Sequence, residues 1–466
     1  MSEPTILLSG LRWTIIATGI NFIIGLLQTA LLARLLEKTE FAWIAIAAVF
    51  INIGTQIQNT GINTALIQRP ENTHAQLSSL YWLNQMIGVV LLLLGFTFAW
   101  LIGNWYQSTS LTNIFVLYSF IFIVNGLGVQ YKAILQKNFR FQEMAVIETI
   151  ATLGGFIVAL WLAWQGWGAA SLIISYLVRS IIETIGSLYI GKRIFMPTWY
   201  FQWKDVKIYG NFSAILTLER LVTHFVSQLD ILLISKWLGM EAAGVYDVFK
   251  RVLMRPSVLL NISMERVLLP VLSKLQYNKE QLGKTYFNLL NLSLSIHLPI
   301  YLLAIILAPW LVEWYFGVSW NIYTPVFQWM CGLVLVFALF NPVESLLLAI
   351  GRIQIQLFLY LIMAPLLTIF IYVSSQYGLA KTIAFIIVIQ LIIAVIAYLL
   401  ILKKYSFAES IGIATKPFLL LIASSGISFP IYLFSVPLAG IVFIILYLYM
   451  TYRFNYQSVS LLRTSL

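Results

Sequence analysis

Charge is what this chain of 466 residues has least of: Asp, Glu, Lys and Arg make up 10% of it. Soluble domains carry about 25%, and no soluble surface can be built from so few. Cysteine is nearly absent. Cys331 stands alone, which excludes an intramolecular disulfide and any cysteine-based metal site. The three histidines, His74, His224 and His297, are far apart. No HExxH, Walker A, GxSxG or GxGxxG pattern occurs, so the sequence predicts no catalytic residue, no metal and no cofactor. What is present is apolar and basic at once: 61% hydrophobic residues, and a net charge of +11 from 28 Lys and Arg against 17 Asp and Glu. That excludes disorder, secreted disulfide scaffolds and ordinary cytosolic enzymes. An all-α integral membrane protein is expected, and the positions of its bases become the main question.

A helical span needs roughly 20 mostly apolar residues. Fourteen candidates meet this: 11–35, 41–61, 80–102, 111–129, 144–164, 167–190, 208–238, 243–269, 286–311, 323–350, 355–373, 382–402, 418–434 and 436–452. The last two are short and meet near Pro437. The first apolar run lacks a preceding basic region and is too long for a signal peptide, so it reads as an uncleaved span. The expected organisation is a six-helix lobe over 1–191, a linker over 192–207, a second six-helix lobe over 208–402, and two further helices with a short tail over 403–466. The linker holds Trp199, Tyr200, Phe201 and Trp203 beside Lys204, a mixture suited to the lipid headgroup level.

Lys and Arg accumulate on the cytoplasmic side of membrane proteins. With the N-terminus inside, the inner loops hold Arg69, Lys132, Lys137, Arg140, Lys192, Arg193, Lys204, Lys207, Lys274, Lys279, Lys284, Arg352, Lys403, Lys404 and Lys416. The outer loops hold only Arg34, Lys38, Lys236 and Lys381. Both termini are therefore expected in the cytoplasm.

Topology leaves six bases unexplained, because they fall within spans: Arg179, Arg220, Lys250, Arg251, Arg255 and Arg266. A mid-span Arg costs about 2.5 to 3.5 kcal/mol, so Arg179, Arg220 and Arg255 together would cost roughly 8 to 10 kcal/mol facing lipid. They must face protein or a hydrated cavity. Asp247, Arg251 and Arg255 step by four and share one helix face, as do Arg220, His224 and Gln228. Arg179 with Glu183, and Asp247 with Arg251, are expected to be ion pairs that hold helices together. For Arg220 and Arg255 a cavity role and a structural role stand side by side. A basic cavity suits an anion, and the planar fork of Arg matches phosphate. The expected anion-binding set is Arg255, Arg220, Arg251, Lys250 and Arg179. Polar lining is expected from Asn21, Gln28, Asn52, Gln56, Asn84, Gln85, Asn125, His224, Gln228 and Asp230. Asp230, Asp247 and Glu148 are candidate coupling carboxylates. Pro256 follows Arg255 directly and can kink its helix.

Five ordered stretches carry a resemblance. They are Ala65 to Arg69 with Leu77 to Asn84; Lys132 to Phe141 with Ile147 and Glu148; Leu229 and Asp230 with Leu238, Gly239 and Gly244 to Tyr246; Leu269 to Gln276; and Ala308 to Val312 with Phe316, Gly317 and Trp320. In this order the chain resembles the polysaccharide transporters of the MOP flippase superfamily, in particular the Wzx-type branch. It departs from them in the first outer turn (Glu37 to Ala42), at Ile231, and at Glu219, Arg220 and His224.

The resemblance implies two six-helix lobes around a central cavity, plus two helices. It implies a bacterial cytoplasmic-membrane flippase that moves undecaprenyl-diphosphate-linked oligosaccharide to the outer leaflet by alternating access. The implied partners are that substrate and membrane lipids, with a polysaccharide polymerase and chain-length machinery as further candidates. No nucleic acid is implied, and a monomer is expected. Three rival readings remain: a lipid II flippase, which also needs a basic cavity; a MATE-like antiporter, which should favour cavity carboxylates; and a membrane polymerase or glycosyltransferase, which should carry a large outer loop.

Overall fold

The computed structural model describes residues 3–60, 66, 69, 72–207 and 221–401. Among the described residues the regular structure is helical. The helices are α1 (Glu3–Leu35), α2 (Lys38–Thr60), α3 (His74–Tyr106), α4 (Thr109–Ser119), α5 (Ile121–Lys137), α6 (Phe141–Trp164) and α7 (Ala169–Gly191). They continue with α8 (Leu229–Trp237), α9 (Met240–Leu275), α10 (Lys279–Ile306), α11 (Ala308–Phe316), α12 (Thr324–Ala349), α13 (Ile353–Ser374) and α14 (Leu379–Ile401). Ten described segments are long and apolar enough to cross a membrane. Candidate spans thirteen and fourteen, with the tail, lie outside the described residues.

Two candidate spans are interrupted. The fourth is divided at Phe120 into α4 and α5, which then runs on to Lys137. Lys132, expected in an inner loop, is therefore inside a helix. The seventh begins among residues outside the described set, is helical over 221–227, turns at Gln228 and resumes as α8.

Helix ends are fixed by local chemistry. Thr73 and Gln76 form a reciprocal capping box at the start of α3: the Gln76 amide donates to Thr73 Oγ1 at 3.3 Å and the Thr73 amide to Gln76 Oε1 at 3.0 Å. Asn278 Oδ1 accepts from the Gln281 amide at 3.1 Å and caps α10. The cap of α7 comes from elsewhere: Glu40 of α2 accepts from the Ala169 amide at 3.0 Å. A carboxylate there meets both an orphan donor and the positive helix end.

The chain divides into two compact units, residues 1–248 and 249–466, with the division inside α9. In the first unit α7 packs on α6 and α5, α1 on α6, and α3 on α4 and α5. Gly128 sets the close approach of α5 to α7, since a Cβ there would press on the Thr184 side chain and Cα. Residues 192–207 are docked on the His74 end of α3. Phe195 and Val206 are buried with Leu80, Tyr131 and Ile134. Trp82 donates through Nε1 to the Thr198 carbonyl at 2.8 Å and stacks on Trp199 with centroids 4.4 Å apart. Ser79 donates to Asp205 at 3.2 Å and accepts from the Gln202 amide at 3.1 Å.

In the second unit, α10, α12 and α14 pack in succession, with α13 against α14. Phe249, Phe316, Trp320 and Phe327 form a buried aromatic cluster, Phe249 lying 5.1 Å from Phe316 and 5.2 Å from Phe327.

Candidate functional site

The close approach at Gly128 has a consequence one turn further along α5. Lys132 is brought to α7, where its Nζ meets Glu183 Oε2 at 2.5 Å. Arg179, one turn before Glu183, donates from Nε to the other oxygen, Oε1, at 2.9 Å. One carboxylate therefore holds two bases from two helices. The expected i, i+4 pair of Arg179 and Glu183 is present, and Lys132 enlarges it to a triad.

The triad stands in the wall of an open cavity of about 450 Å³ bordered by α2, α4, α5 and α7. Asn52, Asn125, Tyr118 and Tyr176 line it as well. Asn125 Oδ1 accepts from Ser180 at 2.7 Å, and Thr184 donates to the Val124 carbonyl at 3.1 Å, so two hydrogen bonds join α5 and α7 beside the cavity. The Tyr118 and Tyr176 rings stack 5.7 Å apart. The charged residues of the wall are Lys132, Arg179 and Glu183. Two bases against one acid leave it one positive charge. The side chains of Lys132 and Arg179 are 35% and 44% exposed, while Glu183 is 14% exposed. Glu148, exposed on α6, shares the electrostatic field of all three.

Of the residues singled out from sequence, this cavity brings together Arg179 with its partner Glu183, Asn52 and Asn125. Asn84 is fully buried inside the first unit and is not in the cavity wall. Asn21 and Gln28 are half-buried on α1, and Gln56 on α2. His224 and Gln228 are half-buried at the turn before α8. Asp230 is buried, accepting from the Tyr246 hydroxyl at 2.5 Å and from the Ile231 amide at 2.8 Å. Asp247 is half-buried on α9. In the second unit Lys250, Arg251 and Arg255 are half-buried on α9, and Tyr315 of α11 lies within electrostatic range of Arg255. Arg220 lies outside the described residues.

Lys132, Ser180 and Tyr176 are not singled out from sequence as site residues, yet a signal exists. Tyr176, Arg179, Ser180, Glu183 and Thr184 fall at i, i+3, i+4, i+7 and i+8, a polar stripe on an otherwise apolar helix.

Residues 31–325 match the family described as polysaccharide biosynthesis protein. The chain is 31% identical to the lipopolysaccharide biosynthesis protein WzxC of Escherichia coli (strain K12), over 86% of this chain and 82% of that one. It is 26% identical to the teichuronic acid biosynthesis protein TuaB of Bacillus subtilis (strain 168), over 91% and 88%. Among solved structures, the lipid II flippase MurJ in an inward closed conformation superposes with a TM-score of 0.71 at 18% identity, covering 96% of this chain and all of that one. An inward-facing multidrug MATE transporter of the MOP superfamily superposes at 0.65 with 14% identity, covering 83% and 94%. At such identities the two structures speak for the fold alone, and that fold is a multi-span transporter fold. The chain is thus a membrane-embedded member of the polysaccharide biosynthesis protein family.

Proposed function

We propose that this protein is a flippase of the bacterial cytoplasmic membrane. It moves undecaprenyl-diphosphate-linked oligosaccharide repeat units from the inner to the outer leaflet for polysaccharide assembly. The family match over residues 31–325 carries the reading, and the relatives WzxC and TuaB are named for polysaccharide biosynthesis. The polar, net-positive cavity supports it, because a diphosphate and its sugars must cross a barrier that the prenyl tail need not. No covalent step is required, and the protein is a transporter rather than an enzyme.

The finer architecture belongs to the same proposal: fourteen spans, both termini cytoplasmic, lobes over 1–191 and 208–402, and two further helices over 403–466. Alternating access of the lobes would move the headgroup. Arg255, Arg220, Arg251, Lys250 and Arg179 are proposed to serve the diphosphate. A polymerase and chain-length machinery would take up the product.

The test is a deletion strain analysed for lipid-linked repeat units. Repeat units should accumulate with their headgroups on the cytoplasmic side and clear when the gene is restored. Accumulation of lipid II instead, with normal polysaccharide, would favour the lipid II reading.

A further inference from the structure

The Lys132–Glu183–Arg179 triad contains one base more than its carboxylate needs. Glu148 shares the triad's field, but both bases close their ion pairs on Glu183 alone, on the wall of an open cavity.

A half-buried carboxylate cannot give up its partner without cost, because a bare charge left in a low-dielectric site is strongly penalised. With Arg179 as the sole partner of Glu183, the two would be locked together and Arg179 would be lost to any ligand. Lys132 changes this, because it holds Oε2 at 2.5 Å while Arg179 holds Oε1. Arg179 can leave, and Glu183 stays neutralised. Arg179 uses Nε for Glu183, and a guanidinium carries four further N–H donors. It is also the most exposed member of the triad. An oxyanion entering the cavity would find that base together with the side-chain amides of Asn52 and Asn125 in the same wall.

We propose that Arg179 is an exchangeable anion hook, bound to Glu183 when the cavity is empty and transferred to the diphosphate of the substrate when it is filled. Lys132 is the positioning residue that makes the exchange reversible. Glu183 is the internal anion that holds the hook in reserve. This rests on the flippase reading and adds to it a device for releasing the headgroup: Glu183 competes for Arg179 and lowers the cost of letting the product go.

The test is a binding cycle on the purified full chain in lipid nanodiscs, with farnesyl diphosphate and inorganic pyrophosphate as probes. Lys132→Met should weaken binding of both about tenfold or more, because Arg179 is then locked onto Glu183. Glu183→Gln should tighten binding. The decisive variant is Lys132→Met with Glu183→Gln, which should recover most of the affinity lost in Lys132→Met. A structural brace would give the opposite order, with the double variant no better than either single one. Lys132→Arg should bind as the parent does. Equal affinity of Lys132→Met and parent, or no recovery in the double variant, would overturn the proposal. If pyrophosphate follows the expected order and farnesyl diphosphate does not, the site takes a free anion, and the headgroup assignment is overturned. These outcomes are independent of polysaccharide export: failure of the parent gene to clear repeat units would overturn the flippase reading even with the binding order intact.

Discussion

Tyr246 on α9 donates its hydroxyl to Asp230 on α8 across 2.5 Å, and both side chains are buried. Asp230 also accepts from the Ile231 amide, so the turn between the two helices closes on one carboxylate. A hydrogen bond to a charged group contributes about 1.5 to 3 kcal/mol. Tyr246→Phe should lower stability by that amount, read as a reduced melting temperature in detergent, whereas Asp230→Asn, which keeps an acceptor, should lose less. A Tyr246→Phe protein as stable as the parent would remove the carboxylate from this structural role.

Gly244 belongs to the same joint. A Cβ at this position would fall on the Lys38 carbonyl, and backbone cannot swing aside as a side chain can. Gly244→Ala should cost about 1 to 3 kcal/mol through forced separation of α9 from the start of α2. Thermal unfolding of the variant beside Ala243→Gly, which adds no volume, separates overpacking from a change in helix propensity.

These two positions show how much was legible in the sequence. Leu229, Asp230, Gly244 and Tyr246 were recognised as one resembling stretch without a reason for their company, and the joint between α8 and α9 supplies it. Ten apolar runs are legible as spans because hydropathy alone demands them. The breaks at Phe120 and Gln228 are not, since neither carries Pro or Gly to announce a stop. Lys132 illustrates the remaining gap. Counting charges sent it to a loop, but its partner lies 51 residues away on another helix, and no local pattern reports a tertiary ion pair. Arg179 and Glu183 were legible as a pair because they are one turn apart.

The docked linker gives a prediction of a different kind. Trp82 holds it twice, by a hydrogen bond to the Thr198 carbonyl and by stacking on Trp199. Trp82→Phe removes the donor and keeps a ring; Trp82→Ala removes both. Tryptic cleavage at Arg193, Lys204 and Lys207 in nanodiscs should rise modestly in the first variant and sharply in the second. Equal protection in all three proteins would mean that the buried Phe195 and Val206 hold the segment unaided.

Arg255 tests the basic face of α9. If it serves the diphosphate, Arg255→Ala should abolish polysaccharide export at unchanged membrane abundance. Arg255→Lys should also impair it, because an ammonium cannot reproduce the bidentate fork. Full export by a stably inserted Arg255→Ala protein would remove this residue from the diphosphate site.

His297 brings the last prediction, in the second unit. Its Nδ1 lies 2.8 Å from the Ser293 carbonyl, which has no proton to give, so Nδ1 carries the hydrogen and Nε2 is the acceptor for Ser257 at 3.1 Å. Ser257 directly follows Pro256 in α9, and His297 lies two residues before Pro299 in α10. Each proline withholds an amide from the carbonyl four residues earlier, so both helices are weakened at neighbouring points. The Tyr301 hydroxyl, donating to the Leu253 carbonyl at 2.7 Å, braces the same place. His297→Ala should destabilise by about 2 to 4 kcal/mol, combining a cavity with a lost hydrogen bond to Ser257, and Tyr301→Phe by about 1 kcal/mol. Because the two bonds cross one weakened region, their losses should not add, and a coupling of 0.5 kcal/mol or more (~) is expected between them. Strict additivity in a double-mutant cycle would show that the two bonds act separately and that the paired prolines form no common weak point.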